Sequence, residues 1–494
     1  MESNIVPILI FIFWFFHIQR RMFYYFYFWQ LKMYRLDRFL EEIQRNKRIV
    51  LPKIYIFILI FLLLFYLPVN NILTSYLLAI FYLIFGFYSF ILLLTKKWKL
   101  PVFTKKMIVI SALGFFVWAF LSFYFWEKII FFILFFELLL PILVFLCVEI
   151  IEVPASLFRR YSMLKAGKKR DKFKDLLVIG ITGSYGKSST KEFLYTLLSQ
   201  KYGKDKVLKT ASNINTEIGI ANTVLKELKK EHKIFICEMG AYKKGEIKTS
   251  CNIVKPKIGV ITGINEQHLA TFGSLENIIK GKYELIESLP KDGIAFFNVK
   301  NKYCVELYQK AQIKKFLYGE NIKLQGLENI EGAKVVAREL GMQEEEIERA
   351  CEGIENKFGG IQIKKGANGI NIIDATYSAN PDGVMAHLEY LKTFPDRKVI
   401  IMPCLIELGK ASKEVHKRIG QKIAEVCDLA IITTKDRFKE IKEGASEKGM
   451  PRENILFLEN PKEIFEKIKS FCQPGDIILL ESRVPTQLIS TLIK

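Results

Sequence analysis

In the first 158 residues, apolar side chains run in long blocks separated by short polar stretches; beyond them, short apolar runs alternate with amphipathic ones. A helix needs about 20 apolar residues to cross a bilayer. Residues 72–94 and 107–126 meet that length, and 129–151 meets it while carrying Glu137, Pro141 and Glu149. Residues 54–69 form a shorter block closely flanked by polar residues, and 5–18 is the weakest. The pattern predicts a membrane domain over 1–152 with about five transmembrane helices. The aromatic run 23–29 and the mixed charges after it predict an interfacial helix over 22–48. A basic juxtamembrane linker, 153–175, follows. From Leu176 the buried runs 176–182, 233–238, 257–262 and 294–298 read as strands, with helices at 188–200, 217–230 and 274–289. Such alternation predicts a parallel α/β sheet. A second series of strands, at 370–374, 398–403, 429–433, 455–458 and 476–480, alternates with helices and predicts a Rossmann-like unit. The glycine-containing stretch 356–360 divides the two. The expected fold is an α-helical membrane segment followed by α/β domains at 176–356 and 357–494.

Charge refines this picture. The net charge of +21 splits into +7 for the first 158 residues and +14 for the rest. Residues 19–53 carry nine Lys/Arg and 95–106 carry five Lys, whereas 68–71 carry none and Glu127–Lys128 is a minimal turn. After the last span come Arg159, Arg160, Lys165 and Lys168–Arg170. Basic loops mark the cytoplasmic side. The N-terminus is therefore expected outside, and everything after residue 152 in the cytoplasm, in a multi-pass protein of the plasma membrane. The block 5–18 lacks the positive flank and the A-x-A site of a signal peptide. A purely soluble enzyme and a purely membrane-embedded transporter are both excluded. The positive charge suits an anionic membrane surface or a phosphorylated substrate. No basic motif interleaved with aromatics and no finger spacing points to nucleic acid. Eight cysteines without a C-x-x-C pair read as reduced, buried thiols. Glu137 and Glu149 fall in one apolar span, where a carboxylate is a functional candidate by default. Glu149 lies close enough to the span's end to be explained by exposure at the interface.

The strongest chemical signal is Gly180-Ile-Thr-Gly-Ser-Tyr-Gly-Lys-Ser188, where a buried strand turns into a helix. Such a loop aims backbone N–H groups at a polyphosphate, and the helix dipole adds positive potential. Lys187 would reach the β/γ phosphates and the Ser188 hydroxyl would bind Mg²⁺. The strict pattern fails at its first glycine, where Ile181 stands. A glycine-rich turn without a ligand is the plain alternative. Glu238 and His268 each follow a strand end of the same sheet, where α/β proteins place ligands. Either one alone is usually a core or surface residue. Lys282, in the next helix, would by itself be a solvated lysine.

Taken together these segments resemble the Mur ligases, the cytoplasmic enzymes that build the peptidoglycan peptide. Residues 182–192 resemble the family's ATP loop, 212–219 its Asn-rich loop and 238–247 its metal-binding Glu segment. His268-Leu with Phe272-Gly-Ser, and Lys282-Tyr-Glu, resemble its His and carbamylated-Lys motifs. Residues 374–381, Glu407-Leu-Gly409, Gly475-Asp476 and Ser482-Arg483 look most like the member that adds D-Ala-D-Ala. The resemblance covers roughly 176–494 and implies a P-loop central domain and a Rossmann-like C-terminal domain. It implies ATP and Mg²⁺ as cofactors, a cell-wall precursor, lipid-linked or not, and an amino acid or dipeptide amine. ATP phosphorylates a carboxylate and the amine attacks the acyl phosphate. By resemblance Gly183, Ser184, Gly186, Lys187, Ser188 and Ser189 hold phosphates, and Asn298, Asn329 and Asp374 contact the rest of the nucleotide. Ser188 and Glu238 bind one Mg²⁺, and His268 and carbamylated Lys282 serve a second. Lys187, His268 and Lys282 are the catalytic set. Asn213, Asn215, Asn380, Ser482 and Arg483 fall at substrate-binding positions.

Some positions depart from the family. Gly360 stands where an Arg near the γ-phosphate is usual, and Ala375 replaces the second Asp of an Asp-Asp pair. Pro403-Cys404 and Leu480-Glu481 replace Gly-Asp and Lys-Gly, and 300–325 is short. The UDP-reading N-terminal domain is replaced by the membrane segment. The first reading is therefore a membrane-anchored, ATP-dependent amide ligase of cell-wall synthesis. A poly-γ-glutamate or capsule ligase and a non-ligating ATP-binding membrane scaffold are the alternatives.

Overall fold

The computed structural model describes residues 5–45, 54–66, 71–320, 322, 327–351, 362–376 and 380–493. The chain divides into two compact units, Met1–Arg160 and Tyr161–Lys494. Gly360 and the boundary expected at 356/357 lie outside the described residues.

The first unit is helical: α1 (Ile5–Leu31), α2 (Leu36–Arg45), α3 (Ile54–Tyr66), α4 (Asn71–Leu94), α5 (Lys105–Tyr124) and α6, which runs from Ile129 to Arg170. Among the described residues three helices are long and apolar enough to cross a membrane, at Ile72–Leu94, Lys105–Tyr124 and Trp126–Arg170. The thirteen residues of α3 fall short of a bilayer's thickness. The expected separation of a weak span at 5–18 from an interfacial helix at 22–48 is corrected: one helix, α1, runs through both as far as Leu31. It does so because its polar residues are sheltered. His17, Gln19 and Arg21 are buried, and Arg21 pairs with the fully buried Glu137 of α6. Trp14 Nε1 also donates to Glu137, at 3.2 Å, and Arg21 reaches the Tyr55 hydroxyl at 3.0 Å. Glu137 is thus the partner of an intrahelical arginine and not a surface charge. Helices α1 and α4 touch backbone to backbone at Gly86, where an added Cβ would lie 2.3 Å from the Phe13 carbonyl oxygen. The stretch expected as a linker is helical from 153 to 170, as the end of α6.

The second unit contains two six-stranded sheets. The first is built from β1 (Leu177–Thr182), β2 (Val207–Lys209), β3 (Ile234–Glu238), β4 (Ile258–Ile261), β5 (Ile294–Asn298) and β6 (Lys314–Tyr318). All its pairs are parallel, in the order β2-β3-β1-β4-β5-β6. Its helices are α7 (Lys187–Tyr202), α8 (Glu217–Glu227), α9 (Glu246–Val254), α10 (Leu269–Phe272), α11 (Leu275–Glu287), α12 (Lys302–Lys310), α13 (Glu328–Glu339) and α14 (Glu344–Cys351). The central strands are buried along nearly their whole length, as a sheet covered on both faces requires. Phe193, Leu194, Leu197 and Leu198 seat α7 on the sheet, each stabilising the fold by about 1.5–3 kcal/mol.

The second sheet comprises β7 (Gln362–Lys365), β8 (Asn371–Ala375), β9 (Lys398–Met402), β10 (Leu429–Ile432), β11 (Ile455–Phe457) and β12 (Ile477–Glu481), in the order β11-β10-β9-β12-β8-β7. Only β7 runs antiparallel, at the edge. Helices α15 (Pro381–Lys392), α16 (Ser412–Val426), α17 (Phe438–Glu447), α18 (Pro461–Phe471) and α19 (Thr486–Leu492) cover it. The eight cysteines form no disulfide.

Candidate active site

The loop from β1 to α7 sits beside the carboxyl end of β3, its parallel neighbour. Its tight path needs glycine at Gly186, where φ is +78° and a Cβ would meet Asn329 Oδ1 at 2.2 Å. Helix α7 starts at the next residue, so its N-terminal amides and dipole face the loop. The Lys187 ammonium donates to the Gly183 and Ser184 carbonyls at 2.7 and 3.2 Å. Burial lowers its pKa, partly opposed by Glu238. Ser184 is buried and its hydroxyl accepts from Asn265 N at 3.2 Å, whereas Ser189 is only partly buried.

Glu238 ends β3 with its carboxylate almost fully buried. The Ser188 hydroxyl donates to Oε1 at 3.0 Å and Asn215 Nδ2 donates to the same oxygen at 3.2 Å. Lys191 Nζ donates to Oε2 at 3.1 Å. Lys191 is fully buried and was not anticipated, because a lysine one turn into a helix ordinarily reads as solvated. The hydroxyl–carboxylate pair Ser188–Glu238 presents hard oxygen donors next to the phosphate loop. That fits one Mg²⁺, which prefers one or two protein oxygens and leaves its other positions to phosphate and water.

His268 stands at the N-terminus of α10 with φ +64°. Its ring meets Tyr242 edge-on at 4.4 Å, and Nδ1 lies 2.5 Å from Glu407 Oε2. Burial lowers the His268 pKa, Glu407 raises it, and the charges of Lys282 and Lys187 lower it further. Glu407 belongs to the C-terminal α/β domain, and its backbone carbonyl also accepts from Ala270 N at 3.2 Å. A second bridge joins the two domains: Asn265 Nδ2 donates to Asn380 Oδ1 at 3.3 Å and to Asp382 Oδ2 at 2.8 Å. The sequence pattern flagged the Glu407-Leu-Gly409 segment, but nothing in it says that the carboxylate reaches His268.

Lys282 is 2% exposed, with its ammonium 5.9 Å from the Phe272 ring centroid. Burial first, and the nearby Lys187 second, bring its pKa down to about 7. A substantial fraction is therefore the neutral amine at neutral pH, the form able to react with CO₂. A carbamate there would turn a buried cation into an anion and add oxygen donors near His268. Lys282 in that form and His268 fit a second Mg²⁺. Among the described residues no three His, Cys, Asp or Glu side chains converge as a ready-made metal site.

The remaining predicted residues are dispersed. Asn298 is buried and its Nδ2 donates to the Thr262 carbonyl at 2.8 Å, which shapes the strand end. Asn329 approaches Gly186 and accepts from the Thr190 hydroxyl at 3.5 Å. Asp374 is the penultimate residue of β8, bonded to Lys364 Nζ and the Thr376 hydroxyl, both at 2.7 Å. Burial works to raise its pKa, but those two partners hold it below the ordinary value. Asn380 caps α15 through Gly383 N at 2.9 Å. Ser482 is buried with φ +60° and donates to Glu481 at 3.0 Å, while Glu481 is paired with His387 at 2.5 Å. Arg483 and Asn213 are exposed. At the departures, Cys404 is held by Thr434, and Ala375 is fully buried.

Comparison with known proteins accounts for this arrangement. Residues 181–353 match the profile of the Mur ligase middle domain, and 361–483 match that of the Mur ligase glutamate ligase domain. A UDP-N-acetylmuramoyl-tripeptide–D-alanyl-D-alanine ligase of Bacillus subtilis is 26% identical over 336 residues, covering 62% of this chain and 72% of its own. The crystal structure of MurF ligase from Thermotoga maritima in complex with ADP is 25% identical, with a TM-score of 0.57 over 67% of this chain and 83% of that one. MurF from Acinetobacter baumannii shares the fold, with a TM-score of 0.61 at 24% identity over 68% of this chain and 80% of that one. With both domain profiles matched in order across the two sheets, the chain belongs to the Mur ligase family.

Proposed function

We propose that this Mur ligase is a membrane-embedded, ATP-dependent amide ligase that joins an amine, an amino acid or D-Ala-D-Ala-like dipeptide, to the carboxylate of a peptidoglycan precursor. The observation that supports this reading best is the gathering of Lys187, His268 and Lys282 about the Ser188–Glu238 oxygen pair. Lys187 lowers the pKa of both Lys282 and His268, so the three side chains share one site. With Lys187 and bound Mg²⁺, such a site would bring together two anions, a nucleotide phosphate and a substrate carboxylate, which would otherwise repel each other.

In this reading the phosphate loop holds ATP through Gly183, Ser184, Gly186, Lys187, Ser188 and Ser189, with Asn298, Asn329 and Asp374 around the rest of the nucleotide. Ser188 and Glu238 would hold one Mg²⁺; His268 and carbamylated Lys282 would hold another. The metals supply charge neutralisation between carboxylate and phosphate. Lys191 holds Glu238 in place, and Glu407 holds the His268 ring through Nδ1. Attack of the substrate carboxylate on the γ-phosphorus gives an acyl phosphate and ADP. The amine then attacks the acyl carbon and phosphate leaves. Asn213, Asn215, Asn380, Ser482 and Arg483 are assigned to the two substrates. The deciding experiment is phosphate release by the purified full-length protein with muropeptide, lipid-linked and free amino-acid substrates. Failure of every carboxylate–amine pair to stimulate release would refute a ligase.

Because Glu407 fixes His268 across two domains, Glu407→Gln is expected to weaken Mg²⁺-dependent turnover by about 10–100-fold, the usual cost of losing a partner of a metal ligand. A Mg²⁺ titration of activity checks this. Turnover at wild-type Mg²⁺ dependence would leave Glu407 as a packing residue only.

The first unit is read as membrane-embedded, with α4, α5 and α6 crossing the bilayer and the ligase domains on the cytoplasmic side, where the basic loops lie. Its role in substrate choice follows from replacement: it stands in the chain where other family members carry the UDP-reading domain. One helix would suffice as an anchor. Full-length protein in nanodiscs and a truncated chain starting at Tyr161 are expected to differ, with truncation selectively losing a lipid-linked acyl substrate. Equal relative efficiency on lipid-linked and soluble substrates would remove this role.

A further inference from the structure

A cleft in the second unit, away from the nucleotide loop, is lined by seven lysines. Five of them lie within 165–174, at and just beyond the end of α6, and Lys230 and Lys233 stand opposite. Among the described residues none of the seven is paired with a carboxylate, and Asp175 is the acidic residue among the lining. Elsewhere in the same unit basic side chains commonly find partners, as Lys255 does with Asp171 and Lys422 does with Glu389 and Glu425. Lys169 shows how close the two walls come, since its ammonium donates to the Leu225 carbonyl at 3.0 Å. The floor is apolar, formed by Phe173, Leu176 and Leu225. Seven like charges around an apolar floor repel one another unless an outside anion offsets them.

The helix leading into the cleft shows which anion. Within the second unit, the exposed side chains Tyr161 and Leu164 of α6 stand at helical spacing, Leu164 68% exposed. Lys165 and Lys168 flank this stripe. An apolar stripe edged by basic residues, continuing from a helix of membrane-spanning length, has the chemistry of a headgroup layer. A soluble polyanion would give the charges a partner but leave the stripe in water.

We propose that this stripe and the lysine cleft form a binding surface for the headgroups of anionic phospholipids. It rests on the membrane-embedded reading of the first unit.

The test uses the full-length protein in nanodiscs of phosphatidylcholine alone or with phosphatidylglycerol admixed. Lysine accessibility is read by an amine-reactive label and mass spectrometry. Labelling of Lys165, Lys168, Lys172, Lys230 and Lys233 is expected to fall about fivefold in the anionic discs and to recover in high salt. Lys462 and Lys467, on α18, serve as unaffected references. A variant with Lys165→Gln, Lys168→Gln and Lys172→Gln, all exposed positions, should lose the protection at Lys230 and Lys233. Equal labelling in both discs, for protein that resists alkaline extraction, overturns the proposal while leaving the membrane reading intact. Protein extracted by alkali refutes the membrane reading itself, and the proposal with it. Protection by tripolyphosphate in neutral discs, with none from phosphatidylglycerol, would reassign the cleft to a soluble polyanion.

Discussion

Lys187→Ala is expected to abolish ATP turnover, a loss of at least ~10²–10³-fold in rate, with an unchanged thermal midpoint. The two halves of this expectation come from different contacts. Among the described residues the ammonium bonds to the Gly183 and Ser184 carbonyls of the loop and is not part of the hydrophobic core. Its backbone begins α7, and alanine is a better helix former than lysine. Removing the side chain therefore leaves the fold, but it takes away the positive charge that a γ-phosphate needs as negative charge shifts during transfer. Nucleotide-stimulated phosphate release and a thermal melt check both halves. Wild-type turnover in the variant would remove the phosphate-loop assignment. A collapsed melt would show that Lys187 holds the loop itself together.

Lys282→Ala is expected to be inactive and partly rescued by small carboxylic acids, which can supply the missing anion near His268. The wild-type protein should carry the mass of one added CO₂, with the amine nitrogen bonded to carbon and one proton released. The reaction needs the neutral amine, so loading is expected to fall as pH drops through about 7, where the buried lysine becomes protonated. Linkage gives a second readout in CO₂-free buffer. The folded lysine titrates near 7 and the unfolded one at its ordinary, higher pKa, so between those values the unfolded chain binds the extra proton. Stability should therefore rise with pH across that interval and sit at its lower level below pH 7. An unmodified Lys282 in active enzyme, or full activity of the alanine variant, would refute the carbamate.

The phosphate loop, the strand-end glutamate and both α/β series were legible in the sequence, since each rests on local pattern: a buried run, a glycine turn, an amphipathic helix. What escaped was non-local or weakly patterned. Strand β2 has three residues, and β6 begins Lys314-Lys315 at a sheet edge, so neither shows a buried apolar run. The Lys191–Glu238 ion pair and the Glu407–His268 contact join residues 47 and 139 positions apart, and spacing carries no sign of either. The division of α1 into two elements failed for the same reason. Arg20 and Arg21 look like a helix boundary until Glu137, far along the chain, is seen to pair with Arg21.

That last pair has a bearing on how the protein is made. A helix presenting arginine to hydrocarbon on its own is disfavoured by about 2.5–3.5 kcal/mol per residue, and α1 leaves the ribosome with Arg20 and Arg21 side by side. The carboxylate that pairs with Arg21 is 116 residues further on. At about 5–20 residues per second, on the order of ten seconds pass before it emerges. In the membrane-embedded reading, α1 lacks the charge partner of Arg21 during that interval. In that reading α1 is seated after α6 has been made, and the bundle closes on one glutamate.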